Sequence, residues 1–434
     1  MDKPLIVIVY NGTMDRLTKA IPPKLIAAGA VLLLALPVVV YTRLVFLYMV
    51  NIPFHDDYEI ILDFMNKYLQ ADTLGEKLSL LFSQHNEHRM VFGRIVALVQ
   101  YSLRQEISLN DSLLIGNLGW ICAIAIIMIV AQKHYRLTLV QLLPIPFILL
   151  IPTHWETMVF ASAAANYWVI VFSLVFILCV VHDRFVGACL FYLAALLTFG
   201  NGLLLGLLGL WFWGRQKRWK PFFVFGALMV VSTLLYYVNY QKPVDHPMVF
   251  ETITQPGAVL SYIVLFWGSI LPMKIPAFLF GLGMIIYAIL HMLKRNRDHF
   301  LIMIILFVAL TSLAAAITRS GFGIEQALSS RNSIYALLLV ACCYISMITS
   351  ISQTQIRNGV ALVMIFLAIL FWHTNAARYE TKLSLRKSDR IAGFAKLIER
   401  KDPASLIHPD QMRAAAILFT AESLHVYQYK HWNR

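Results

Sequence analysis

The strongest constraint on this chain is a succession of apolar runs, many about as long as a bilayer is thick, separated by short basic connectors. A helix that crosses the hydrocarbon core needs roughly 17 to 25 apolar residues. By that measure eleven spans are expected, near 25–50, 111–131, 137–152, 159–181, 185–200, 202–214, 221–240, 275–293, 299–317, 333–350 and 358–374. The connectors KHYR (133–136), HDR (182–184), RQKRWK (215–220), KRNRDH (294–299) and QIRN (355–358) alternate with less basic ones. The positive-inside rule therefore assigns these five and the N-terminus to the cytoplasm. A composition 59% hydrophobic and 14% charged agrees, and the expected fold class is an all-α polytopic membrane protein.

Two features complete the expected layout. The segment 262–272 (YIVLFWGSILP) is apolar but short and bounded by Gly and Pro, so it is read as re-entrant or interfacial on the outer side. The first apolar run follows a polar segment at 2–24 and is too long for a signal-peptide core, so it is read as an uncleaved span. Residues 1–374 form the polytopic unit, with 51–110 as a large outer loop, and 375–434 form a tail expected on the same outer side. That tail carries eleven Lys and Arg against six acids, which argues the other way, although long tails translocate largely regardless of charge. The net charge of +13 resides in short clusters and in the tail. Topology and contact with membrane lipids account for it, and no nucleic-acid partner is expected. The five cysteines all fall inside expected spans without metal-ligand spacing, and read as packing residues.

Polar chemistry concentrates in the first outer loop. Ile60, Ile61, Phe64 and Tyr68 recur at helical spacing, as do Met90, Ile95, Leu98 and Tyr101, so helices lying on the membrane are expected there. The loop opens with His55, Asp56 and Asp57. An ionised acid at that face can act as general base toward a sugar hydroxyl within hydrogen-bond reach; alternatively the pair only ends the apolar helix and faces water. Further on comes Gln84-His85-Asn86-Glu87-His88-Arg89. Read as a helix, it places His85, His88 and Arg89 on one face, able to hold a phosphate in the planar fork of the guanidinium, with Glu87 pointing elsewhere. A divalent metal on the two histidines and the nearby acids is the weaker reading, because the run is not an HExxH motif.

Other candidates come from distant connectors. Arg319 and Arg331 flank the glycine-flexed loop 318–332, where a lipid-linked phosphate is the natural anion and snorkelling toward head groups is the bland alternative. Arg43, within the first span, poses the same choice. Asn201, in FGNG (199–202), could touch a ligand or simply occupy a turn between helices. His154-Trp155-Glu156 and Asn166-Tyr167-Trp168 read first as an interfacial aromatic belt.

With HDD at 55–57, membrane-lying helices in the first outer loop and basic residues in a late outer loop, the layout resembles GT-C type glycosyltransferases. More narrowly, FHDDY, QHNEHR, FGNG, SGFGIEQALSSRN and HPDQMRAAAILFTAESLHVY are similar to runs in bacterial polytopic proteins of surface-polysaccharide glycosylation, including phage O-antigen-modifying glucosyltransferases. The resemblance implies an enzyme of the bacterial inner membrane, with its active site on the periplasmic side. It would transfer a hexose, most simply glucose, from undecaprenyl phosphate to lipid-linked O-antigen or a related surface glycan. Asp57, or else Asp56, matches the family's catalytic acid, while Arg319, Arg331 and Arg89 would hold the donor phosphate. His55, His85, Glu87, His88 and Asn201 are the candidate substrate contacts. No nucleotide or redox cofactor is implied. The chain lacks a WWD-type motif and a large soluble C-terminal domain, unlike oligosaccharyltransferases. The alternatives are a flippase or transporter for lipid-linked sugars, which would need charged residues along a path through the spans, and an O-antigen polymerase.

Overall fold

The computed structural model describes residues 23–243, 247–293 and 298–428. The polar N-terminal segment and residues 294–297 of the KRNRDH cluster, both expected on the cytoplasmic side, lie outside the described residues. The chain is an all-α, multi-pass membrane protein. Among the described residues nine helices are long and apolar enough to cross a membrane, and β pairing is limited to one isolated bridge between His85 and His88.

Helix α1 (Pro23–Tyr48) leads into the first loop, which holds a π-helical turn at Tyr58–Asp63 and then α2 (Phe64–Gln70), α3 (Leu74–Leu81) and α4 (Val91–Arg104). Thr73 caps α3 reciprocally with Glu76. Leu74 and Leu78 stay exposed on α3, as a helix lying in an interface requires. Next comes α5 (Leu109–Lys133), the longest of the inner spans.

The run read as one span at 137–152 is broken. It becomes α6 (Leu139–Leu142), α7 (Pro144–Leu149), a 3-10 turn at Pro152–His154, and α8 (Trp155–Met158). Pro144, Pro146 and Pro152 remove helical donors and force the breaks. Freed backbone at this depth survives because other side chains satisfy it: Trp120 donates to the Leu149 carbonyl at 3.0 Å and Tyr344 to that of Gln141 at 2.6 Å.

After α9 (Ala164–Val181), α10 (Phe185–Thr198) and α11 (Leu204–Arg215) form a hairpin around a 3-10 turn at Gly200–Leu203. These helices have 14 and 12 residues, which rise only about 21 and 18 Å, against a core of roughly 30 Å. The hairpin tip therefore stops short and leaves space above it.

Next are α12 (Trp219–Tyr236), α13 (Val249–Ile253) and α14 (Pro256–Trp267). Helix α14, whose second half overlaps the 262–272 segment expected not to cross, has 12 residues, again too short to span. It packs closely on α15 (Lys274–Leu293), and Trp267 donates to Ser312 of α16 (His299–Arg319) at 3.0 Å. Then come α17 (Ser333–Thr349) and α18 (Thr354–Arg400).

Helix α18 runs for 47 residues, about 70 Å, so the last span continues without a break into the tail. The tail then doubles back through α19 (Gln411–Ser423) onto the first loop. Asn66 donates to the Ile417 carbonyl at 2.9 Å, Ile107 N–H to that of Val426 at 2.8 Å, and Tyr427 to that of Asn51. Loop and tail thus share one face of the molecule, hereafter the site face.

The close approach of α14 and α15 depends on Gly281. A Cβ there would collide with the Val264 carbonyl, whereas at Gly283 nothing stands within 4 Å. Gly281→Ala should therefore cost about 1–3 kcal/mol by overpacking and lower the thermal midpoint of the detergent-purified protein. Gly283→Ala should leave it unchanged or slightly raised. Equal midpoints for the two variants would show that the packing is not tight.

Candidate functional site

Beyond α1 the backbone turns sharply at His55, which adopts the left-handed conformation (φ 44°). A non-glycine residue holds that conformation at a cost of about 1–2 kcal/mol. The turn sends the two following carboxylates in different directions.

Asp57 goes inward. Its side chain is fully buried, Oδ1 accepting from Ser162 N–H at 2.7 Å and Oδ2 from Phe54 N–H at 3.1 Å. Burial pushes its pKa up to about 6, against the pull of Arg390 and the two backbone donors. Arg390 is itself buried on α18 and donates to the carbonyls of Val159 (2.8 Å), Val50 (3.4 Å) and Ile52. Asp57 is thus spent on joining the first loop to residues 159–162 and, through Arg390, to α18.

Asp56 goes outward into a cavity and keeps 43% of its side-chain surface accessible, with His85 Nε2 at 3.4 Å. Burial would raise its pKa. The hydrogen bond and charge of His85, with the fields of Arg331 and His55, outweigh that and hold it below the usual 3.8. His55 is pushed down by burial and by Arg386, against the pull of Asp56, so its imidazole is neutral near pH 7.

The QHNEHR run is not the helix expected from its sequence. His85 and His88 exchange backbone hydrogen bonds of 2.8 and 2.9 Å across a two-residue turn, with Asn86 left-handed at φ 48°. The turn aims the three side chains differently. His85 faces Asp56; Glu87 pairs with Arg319 Nη2 at 3.1 and 3.2 Å; His88 lies against the Phe199 ring, centroids 3.9 Å apart. A Cβ on Gly200 would stand 2.6 Å from His88 Nδ1, so the glycine in FGNG is what admits the imidazole. Burial drives the His88 pKa down to about 4, leaving a neutral ring. Its Nδ1 is buried without a partner among the described residues.

Arg89 requires a correction. Its guanidinium donates to the carbonyls of Tyr236 (2.6 Å), Phe82 and Val238, and it lines a different, more apolar cavity. Those bonds tie the turn to the end of α12 and engage all three guanidinium nitrogens, and Arg89 lines neither cavity that holds Arg319 and Arg331.

The Asp56 cavity has a volume of about 320 Å³, and a neighbouring one about 280 Å³. The first is acidic and polar, with His55, Asp56, His85 and Glu156. The second is walled by Tyr262, Phe266, Thr311 and Tyr335, with Asn201 donating to the Tyr335 hydroxyl at 2.7 Å. Glu87, His88, Phe199, Arg319 and Arg331 line both and form the junction.

Glu156, read from sequence as part of an aromatic belt, is a second carboxylate in the polar chamber. Ser330 donates to it at 3.3 Å, as does Arg386 of α18 at 3.3 Å, with the Arg386 guanidinium stacked 4.5 Å from the Phe54 ring centre. The tail arginines were not foreseen as neighbours of the site. Their i, i+4 spacing, which puts Arg386 and Arg390 on one helix face, was the available signal.

Among the described residues no three His, Cys, Asp or Glu side chains are grouped so as to hold a metal ion. Compared with known protein families, curated proteins and solved structures, the chain finds no match.

The π-helical turn behind Asp57 is buttressed by the tail, where His408 Nε2 lies 3.2 Å from Glu59 and Arg413 3.7 Å from it. Burial would lower the His408 pKa, but Glu59 and the Asp410 carbonyl outweigh it and the net is upward from 6.5. A raised folded value means the contact contributes in full below pH 6.5 and fades as pH rises through the raised value. Cleavage at exposed Lys401 by trypsin, normalised at each pH to the His408→Gln variant, should therefore be constant below pH 6.5 and accelerate as the pH rises above it. A constant ratio of the two rates would remove this role for His408.

Proposed function

We propose that this chain is a membrane glycosyltransferase that moves a hexose, most simply glucose, from undecaprenyl phosphate to a hydroxyl of O-antigen or a related surface glycan. In this reading the site face is periplasmic and the membrane is the bacterial inner membrane. The observation that carries it is the meeting of Asp56 and Arg331 in one cavity, although the sequence places them in the first and a late connector.

Asp56, held ionised and oriented by His85, takes the proton from the acceptor hydroxyl as that oxygen attacks the anomeric carbon. The bond from that carbon to the phosphate oxygen breaks, and the phosphate leaves with the electron pair. Negative charge then develops at the junction of the chambers, where Arg331 and Arg319 stand. Preorganised cations lower a barrier most where charge appears during reaction. The polar chamber, with His55, Glu156 and the neutral imidazole of His88, suits sugar hydroxyls. The aromatic chamber suits the apolar stem of a lipid phosphate. Polyprenyl phosphate is a good leaving group, so the step calls for no nucleotide. Asp57 has no place in the proton transfer, because both its oxygens are committed to backbone donors. The charged residues lining the two chambers stand at one face, which favours transfer at a surface over a path through the spans.

Loss of a general base typically costs about 10²–10⁴ in rate, so Asp56→Asn should lose glycan modification by that factor while the protein accumulates normally. Arg331→Ala should raise the donor KM about 10- to 100-fold, the worth of a hydrogen bond to a charged group. Asp57→Asn should instead reduce the amount of folded protein. The assay incubates purified protein with undecaprenyl-phosphate-linked sugars and isolated glycan, and reads transferred mass. Unimpaired transfer by Asp56→Asn would overturn the base assignment, and no transfer from any such donor by the wild-type protein would overturn the activity.

A further inference from the structure

The Glu87–Arg319 pair stands where the proposed reaction releases its charge. Both oxygens of the carboxylate accept from Arg319 Nη2, at 3.1 and 3.2 Å, and both residues line both chambers. The backbone at Glu87 is pinned. His85 and His88 exchange hydrogen bonds on either side of it, and the Tyr236 hydroxyl donates to its carbonyl at 3.3 Å. Its side chain can therefore leave Arg319 by rotating about its own bonds, with the turn in place. The side chains of Arg319 and Glu87 keep 28% and 16% of their surface accessible, so a ligand in the chambers reaches the pair.

The other described charges near the junction have partners or are exposed. Glu156 is held by Arg386 at 3.3 Å, with Lys382 in the same field. Lys274 closes on Glu325 at 2.6 Å, and Glu251 and Lys242 are exposed, where salt screens them. Asp56 has His85, and Asp57 lies behind it with Arg390. Asp245, two residues before the Pro247 that a Cβ on Gly321 would meet, lies outside the described residues. Among the described residues, Arg331 is thus open to an anion, whereas Arg319 is already engaged.

Donor and product differ in charge. A sugar linked through polyprenyl phosphate is a phosphodiester with one negative charge, whereas the phosphate left after transfer is a monoester that approaches two, its second pKa being about 6. A diester that displaced Glu87 would exchange one monoanion on Arg319 for another and break an existing ion pair, so it stays on Arg331. A second charge tips that exchange toward Arg319. We propose that Glu87 is the exchangeable counter-anion of the leaving phosphate: it holds Arg319 while the donor is bound, yields it as the second charge develops, and recloses on it to release the product. This role rests on the transfer reaction proposed above. It makes Glu87 a positioning residue that acts through Arg319.

The test titrates purified full-length protein in detergent, near pH 8, with farnesyl phosphate, a dianion there, and with its methyl diester, a monoanion. Glu87→Gln should bind farnesyl phosphate about tenfold more tightly than the wild type, the worth of one hydrogen bond between charged groups, with diester affinity within about twofold. Glu87→Asp should restore the wild-type ratio, and the gain should vanish in the Arg319→Gln background. A gain that persists there, or that Asp245→Asn reproduces, would overturn the proposal. A pair with only a structural role would lose both affinities on substitution and tighten neither. In turnover, Glu87→Gln should show an initial burst and then a slow steady rate set by product release. Equal or weaker binding of farnesyl phosphate by Glu87→Gln would overturn this role and leave the transfer reaction standing. Failure of both phosphates to bind wild type and variant would overturn the phosphate site itself. If the variant does not fold, a structure of the wild-type protein with farnesyl phosphate decides. The phosphate should separate Glu87 from Arg319, and a pair still closed would overturn the proposal.

Discussion

The site face is held together by the buried carboxylate of Asp57. Placing an ion in a protein interior carries a penalty of several kcal/mol, which attraction and hydrogen bonds offset only when the geometry is good. Here two backbone donors and the nearby Arg390 supply that compensation. The donors come from the turn itself and from residue 162, and the arginine from α18, so neutralising one charge fixes three distant parts of the chain against one another. Arg390 extends the same network by donating to carbonyls at residues 50, 52 and 159. The left-handed turn at His55 then forces the preceding acid out of this network. Of two adjacent carboxylates, one is buried as a pin and the other is left accessible in the chamber.

Space for the chambers comes from helices that are too short. A full-length span from residue 185 would carry its end through the region where His88, Phe199 and Tyr335 line the cavities. Instead α10 and α11 stop after 14 and 12 residues, and α14 after 12. Irregular backbone at membrane depth is tolerated where it lines a polar cavity or is satisfied by side chains. The FGNG tip and the broken segment around Pro152 both meet that condition, and both border the chambers.

This geometry also sets what could be read from the sequence. Hydropathy over windows of spanning length reports transfer into lipid, so nine of the eleven expected spans were legible, whereas the runs at 185–200 and 202–214, also read as spans, form helices of 14 and 12 residues that are too short to cross. Breaks within the 137–152 run were signalled by three prolines, but an apolar average conceals them. The histidine pair was misjudged because a six-residue polar run fits a helix as well as a turn, and only the left-handed Asn86 decides. Which of Asp56 and Asp57 is free was not legible at all. It depends on Ser162 and Arg390, whose proximity is a tertiary fact. Arg89 looked like a phosphate ligand because sequence displays a side chain's donors and not the carbonyls that occupy them.

The two arginines at the junction are not equivalent, and their difference links binding to chemistry in the proposed reaction. Arg319 already shares both oxygens of Glu87, so a phosphate there must compete with a carboxylate or use the remaining donors of the fork. Arg331 is exposed and makes no hydrogen bond or ion pair to a described residue, yet its field helps to hold the Asp56 pKa down. A phosphate drawn to Arg331 would neutralise part of that field. A carboxylate that loses a nearby cation becomes a stronger proton acceptor. The base would therefore gain strength as the donor docks, so that proton removal from the acceptor is favoured only once a leaving group is in place.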